Sequence, residues 1–398
     1  MSDRSPQRTL GVVGSGTMGA GIAQVALEAG WSVRLHDALP GAVERGRDRI
    51  ADGLRRRAAT REQEGGAANA WLDERLARLT FAPDPVAVTD GAELVIEAIV
   101  EDLEAKRSLF AILDAAAPPE TVLATNTSAL SVAAIAGAAT AHPERVLGLH
   151  FFNPAPLMRL VEVVGATRTD PDLAAAAAAT MAAWGKTPVA CSDHPGFIVN
   201  RVNRPFTLEP LRLLAAGAGT IESIDAAITA AGYPMGPFEL MDLVGLDVNL
   251  ATARNLFEAF DRAPRFRPSP IQESLVAAGH LGRKTGRGFY AYDRDGRLLG
   301  PSRRFEGAPG LGALDAEAIA ERTILAVVNE AYRALGEHVA TEDDIDLALR
   351  LGTNHPFGPF EWARETGPAE VALMLDALVD EDADTFRPTI ALLRAAAG

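Results

Sequence analysis

Cysteine is nearly missing from this chain: its 398 residues include one, Cys191. A single thiol excludes a disulfide framework and any metal site built from several cysteines. Beside the polar pair Ser192-Asp193 it reads as a small strand residue, and no metal is expected. Long apolar runs are missing too. No stretch reaches the roughly 18 apolar residues of a membrane span, and the alanine-rich segment 174–179 is too short and too weakly hydrophobic. The opening MSDRSPQRTL lacks the apolar core of a secretory signal, so a cytoplasmic location with no membrane partner is expected. Positive charge is scarce: 38 Lys and Arg against 53 Asp and Glu leave a net −15, which argues against nucleic acid as a partner. What remains, 48% hydrophobic and 23% charged residues, is the composition of a soluble globular protein. The length implies two or three domains.

The N-terminal segment carries the most specific pattern. Thr9–Val13 reads as a short buried strand opening into Gly14-Ser15-Gly16-Thr17-Met18-Gly19, which fits G-x-G-x-x-G. A helix over 20–27 follows, then a strand over 33–36 ending at Asp37. Gly14 permits the tight turn, Gly16 lets backbone approach a pyrophosphate, and Gly19 lets helix pack on strand. The helix start offers free N–H groups to phosphate. Asp37 lies 23 residues after Gly14, where a carboxylate accepts from ribose hydroxyls and repels a 2′-phosphate. NAD is therefore expected rather than NADP.

The stretch 145–165, RVLGLHFFNPAPLMRLVEVVG, reads as two apolar strands joined by a turn that Pro154 and Pro156 set. His150 and Glu162 sit inside these strands. Two readings are open: a satisfied core histidine with an edge-strand acid, or a buried acid–base pair. Strands over 94–101 and 121–128 end in Glu101, Asn126 and Ser128. Strand ends are where ligands meet a doubly wound sheet, and His150 shares that edge, which favours the functional reading. Capping roles remain open for Asn126 and Ser128.

Residues 38–80 read as a charged helical insertion, with seven arginines between Val43 and Arg61 that suggest an anionic ligand. Beyond residue 195 strands give way to helices. Asn200, Asn203 and Glu209 are expected on one face of a first helix. A repeat follows. Ser223–Ile228 is echoed by Asp344–Leu349, and GYPMGPFE at 232–239 by HPFGPFE at 355–361. Glu330 echoes Glu209, and Glu321 stands where the first copy has Asn200. The expected organisation is residues 1–195, 196–300, a Pro/Gly-rich linker over 301–316, and a second helical copy over 317–398. The second copy is expected to dock on the first within one chain. Met235, Pro237 and Phe238, with Phe357, Pro359 and Phe360, are candidates for that seam or for each copy's own core.

The motifs GVVGSGTMGAGIAQ, VIEAIVEDLEAK, NTSAL, GLHFFNPAPLMRLVEVV, HPGFIVNRV, GYPMGPFELMDLVGLDV and GRKTGRGFY resemble the L-3-hydroxyacyl-CoA dehydrogenase family. The resemblance covers Gly11 to Tyr292 almost continuously, and 317–398 resembles a second copy of that family's C-terminal domain. It implies a Rossmann-type α/β NAD-binding domain followed by two all-α domains of the 6-phosphogluconate-dehydrogenase-like kind. It implies His150 as catalytic base with Glu162 as its partner, and Ser128 and Asn200 on the substrate oxygens. Asp37, Glu101, Lys106, Ser128, Asn153 and Lys284 would lie on NAD or at its junction with CoA. An acyl-CoA substrate is implied, with a monomer holding an internal pseudo-dimer, or a homodimer, as the assembly. The family contacts CoA through the insertion. There Gly53 and Thr60 replace the expected Ser and Lys, with Arg56 nearby.

The favoured expectation is NAD-dependent oxidation of short- or medium-chain 3-hydroxyacyl-CoA, in fatty-acid, butyrate or aromatic-acid catabolism. 3-Hydroxyadipyl-CoA is one alternative. Others are a free hydroxy acid or sugar acid, as in gulonate 3-dehydrogenase, and a catalytically idle relative like the crystallins. A fused enoyl-CoA hydratase domain has no room here.

Overall fold

The computed structural model describes residues 8–63, 67–302 and 312–397. The chain divides into two units, residues 1–197 and 198–398.

The first unit is built on an eight-stranded sheet. Strand β1 (Thr9–Val13) leads through helix α1 (Thr17–Glu28) to β2 (Ser32–His36). The insertion supplies α2 (Ala42–Gln63), α3 (Ala68–Leu76) and β3 (Leu79–Phe81). Then come α4 (Pro85–Val88), β4 (Leu94–Glu97), α5 (Leu103–Ala116), β5 (Val122–Thr125) and α6 (Val132–Ala136). The unit ends with β6 (Val146–Phe151), β7 (Leu160–Gly165), α7 (Pro171–Ala183) and β8 (Thr187–Ser192).

Strand order is β3-β2-β1-β4-β5-β6-β7-β8. Every pairing is parallel except β6 with β7, whose short connection can only return antiparallel. Leu10, Val12, Ile22, Leu35, Ile96, Leu147 and Val161 are buried in one core, as a sheet covered by helices requires. The doubly wound reversal falls beside β1, where the glycine loop leaves the sheet.

Two details differ from expectation. The insertion is not wholly helical, because Leu79–Phe81 pairs with β2 as the sheet edge. Strand β4 ends at Glu97, not Glu101. The Glu97 carboxylate accepts from the Ile99 N–H at 2.7 Å, which takes that donor out of the ladder.

The second unit begins with α8 (Val199–Val202), α9 (Pro205–Ala215), α10 (Ile221–Ala230), α11 (Pro237–Val244), α12 (Leu246–Ala259) and α13 (Pro270–Ala277). A ribbon of β9 (Tyr290–Tyr292) and β10 (Leu298–Pro301) closes this part. Then follow α14 (Ala316–Gly336), α15 (Glu342–Thr353), α16 (Pro359–Thr366), α17 (Pro368–Asp376), α18 (Ala383–Phe386) and α19 (Ile390–Ala396). Most of the expected linker, 303–311, lies outside the described residues.

The repeat has a structural signature. Asp225 on α10 accepts from the Phe238 and Glu239 N–H groups at 2.9 and 3.1 Å, capping α11. Asp346 on α15 caps α16 through Phe360 and Glu361 at 2.8 and 2.9 Å. The expected first helix with Asn200, Asn203 and Glu209 is instead two. Pro205, which cannot donate, separates α8 from α9. Its counterpart α14 has Ala326 there and runs unbroken.

Helices α9 and α14 pack together. Arg201 reaches Glu330 at 2.8 Å, and Arg322 reaches Glu209 at 2.5 Å, a reciprocal exchange between equivalent positions. The seam candidates separate. Phe238 packs on Phe289 and Phe360 on Tyr332, each within its own copy, with ring centroids 4.7 Å apart. Across the seam Tyr233 meets His355 at 4.9 Å and Phe357 at 5.6 Å.

Candidate functional site

The glycine loop is shaped for a dinucleotide. Gly14 has φ +101°, and a Cβ there would stand 2.5 Å from the Ala98 carbonyl oxygen. A Cβ on Gly19 would lie 1.8 Å from the Gly14 oxygen, so the helix can start this close only with glycine. Above Gly16 nothing lies within 4 Å, which leaves its backbone open to a phosphate. Thr17 and Met18 begin α1 and present its unpaired N–H groups. Asp37, at the end of β2, accepts from Ser15 N at 2.7 Å, Ser15 Oγ at 2.8 Å and Leu39 N at 2.9 Å. Burial works to raise its pKa, but these donors outweigh it and hold the carboxyl below the ordinary range. The residues present thus fit NAD.

A second cluster orders the loop after β5. Lys106 is buried on α5, 2.6 Å from Glu97 and 3.3 Å from Glu101. Glu97 also accepts from Thr125 Oγ1 at 2.7 Å. Glu101 accepts from Thr127 Oγ1 at 2.6 Å and from Ser128 N at 2.9 Å. Burial raises the Glu101 pKa, yet Lys106 and these donors bring it below the usual value. The strand pattern alone does not single out Glu97 as anything but the strand's last residue. An acid at the end of an apolar strand with a lysine nine residues on is the signal that finds it.

His150 and Glu162 face each other in the β6–β7 register. Nδ1 of His150 lies 2.5 Å from Oε2 of Glu162, with both side chains buried. The ring packs at a tilt against Phe152 and Phe197, at 4.6 and 5.7 Å between centroids. Nδ1 is committed to the carboxylate, so Nε2 is the nitrogen left for chemistry. Asn126 accepts the Phe151 N–H at 2.9 Å and steadies the strand next to His150. Asn153 is exposed at the start of the turn. Lys186 braces that turn, donating to the Ala155 and Met158 carbonyls at 2.5 and 2.9 Å. Burial pushes its pKa down to about 8, opposed by Glu28. Sequence reasoning missed Lys186, since nothing local ties it to the turn it supports.

Beside the turn lies a cleft of about 710 Å³ lined by Gln24, Gly53, Arg56, Arg57, Thr60 and Leu157, among others. The insertion arginines Arg56 and Arg57 therefore share a cavity with the turn that follows His150. Gly53 lies under the Gln24 amide of α1: a Cβ there would fall 1.9 Å from Gln24 Oε1 and displace that side chain.

Asn200 and Lys284 belong to the second unit. Asn200 is half-buried on α8. Lys284 pairs with Asp247 at 2.6 Å and is partly exposed. Among the described residues no cluster could hold a metal ion, and no helix is long and apolar enough to cross a membrane.

Comparison with known proteins follows the same division. Residues 9–194 match the 3-hydroxyacyl-CoA dehydrogenase NAD binding domain. Residues 196–292 and 319–395 both match that family's C-terminal domain. The chain is 36% identical to the 3-hydroxyadipyl-CoA dehydrogenase of Escherichia coli, with 93% of each chain covered. It is 43% identical to the 3-hydroxybutyryl-CoA dehydrogenase of Mycobacterium tuberculosis, over 71% of this chain and 98% of that one. A crystal structure of 3-hydroxybutyryl-CoA dehydrogenase from Escherichia coli superposes with a TM-score of 0.87 at 35% identity, covering 99% of both chains.

Proposed function

We propose that this chain, which belongs to the 3-hydroxyacyl-CoA dehydrogenase family, oxidises (S)-3-hydroxyacyl-CoA of short or medium chain to 3-ketoacyl-CoA. The observation that carries the proposal is the buried His150–Glu162 pair, 2.5 Å apart, with the second ring nitrogen left for a substrate. Nε2 of His150 takes the hydroxyl proton as the C3 hydrogen leaves as hydride. NAD, when bound in the Gly14–Gly19 cradle, supplies the hydride acceptor. Glu162 fixes the ring and balances the charge of the imidazolium that forms. Ser128 and Asn200 fix the substrate oxygens as neutral hydrogen-bonding groups. Glu101 and Lys106 act on the cofactor side by ordering the loop that carries Ser128. Asn153 and Lys284 are assigned to the cofactor and its junction with CoA. The cleft with Arg56 and Arg57 offers the insertion's positive charge to CoA phosphates, in place of the residues absent at Gly53 and Thr60.

The second helical copy acts as the internal partner of the first, which favours a monomer with a built-in pseudo-dimer. A second substrate reading has one specific support. The relative matched over 93% of the chain, through the second copy, is called a 3-hydroxyadipyl-CoA dehydrogenase. NADH production from 3-hydroxybutyryl-, 3-hydroxyhexanoyl- and 3-hydroxyadipyl-CoA distinguishes the two. Turnover of free hydroxy acids at rates equal to their thioesters would overturn both.

A further inference from the structure

We propose that the second helical copy positions Asn200: it grips the residues on either side of that amide and so sets where the α8 turn presents it. The inference rests on the substrate-binding role given to Asn200 above. Helix α8 is one turn, Val199–Val202, cut off from α9 by Pro205. So short a helix has little stability of its own. Its side chains are held from the second copy instead. Arg201 is fully buried and donates to Glu330 at 2.8 Å and to Glu337 at 2.7 Å. Asn203 Oδ1 lies 2.8 Å from Nε2 of His355. His355 is buried against Phe206 and Tyr233, at 5.2 and 4.9 Å between centroids. Burial pushes its pKa down to about 3, so the ring is neutral and Nε2–H donates to the Asn203 oxygen.

Part of this grip is symmetric and part is not. Arg201–Glu330 is mirrored by Arg322–Glu209, as a duplicated pair should be. The His355–Asn203 bond cannot be mirrored, because Tyr233 and Ile324 occupy the equivalent positions. In a two-fold homodimer one residue must serve both positions. Two copies in one chain can diverge. Here the asymmetric bond serves the copy with Asn200, and the copy with Glu321 at that place goes without it.

A double-mutant cycle tests the inference on the full chain. His355→Phe keeps an aromatic ring beside Tyr233 and removes the donor. Because small misplacements of positioning groups cost up to about 10²-fold, kcat should fall roughly tenfold. NADH affinity should not change. In an Asn200→Ala background the same substitution should cost less than about twofold, since the group it positions is gone. Asn203→Leu cuts the same bond from the other side and should reproduce the loss, which guards against misfolding of either variant. An undiminished loss in the Asn200→Ala background, or no loss from either variant, would overturn the inference. Full turnover by Asn200→Ala alone would instead remove the substrate role of Asn200, a separate and distinguishable failure.

Discussion

Glu330 is a buried carboxylate held among three arginines, and replacing it with glutamine has a calculable cost. It lies 2.8 Å from Arg201, 3.0 Å from Arg265 and 3.7 Å from Arg333, at 2% exposure. Glu330→Gln keeps the shape and removes the charge. At an effective dielectric of about 20, each pair with charges roughly 4 Å apart is worth about 4 kcal/mol. Some of this survives, because Arg201 keeps Glu337 at 2.7 Å and Arg265 keeps Asp384 at 3.4 Å. The rest is the penalty of a buried arginine that has lost a partner, and breaking one side of such a pair costs about 3–5 kcal/mol. At about 2–4 °C per kcal/mol for a unit of this size, the melting temperature should fall by roughly 10 °C. Circular dichroism melts measure it, and raised salt should leave the difference largely intact because the group is buried. A shift under about 2 °C would show that the two copies are not held by this exchange, and the argument from charge burial would be wrong.

Asp37→Ala should raise the use of NADP relative to NAD, read as the ratio of kcat/KM values. Because the Asp37 carboxyl sits below its ordinary range, the unmodified protein's NAD preference should stay constant from about pH 6 to pH 8. His150→Gln should lose about 10²–10⁴-fold in turnover while NADH still binds, and near-normal turnover would refute the assignment of the base. Lys186 gives a pH-dependent stability. Its folded pKa of about 8 lies below the ordinary 10.5, so the unfolded chain holds the extra proton between them. Stability should therefore rise as pH climbs from 8 towards 10.5, and Lys186→Met should abolish that rise in urea titrations.

Much of the first unit was legible because its signals are local. The Gly14–Gly19 loop, its flanking strands and Asp37 lie within one βαβ span; Gly14 and Gly19 answer close backbone contacts, and Gly16 keeps the space above it open. The His150–Glu162 pairing was legible too, since a short proline-set turn leaves two apolar strands little choice but to return antiparallel. The repeat was visible because both copies cap a helix with the same aspartate, Asp225 and Asp346.

What tertiary structure alone decided depends on distance along the chain. Lys186 supporting the turn at 155–158, Gln24 filling the space over Gly53, and Thr125 donating to Glu97 are contacts between separate elements, and no local pattern encodes them. The seam is the clearest case. Phe238 and Phe357 have the same apolar character in nearly the same motif, yet one fills its own copy's core and the other crosses to Tyr233. Hydrophobicity says that a side chain leaves water, but only the packing of helices says against what.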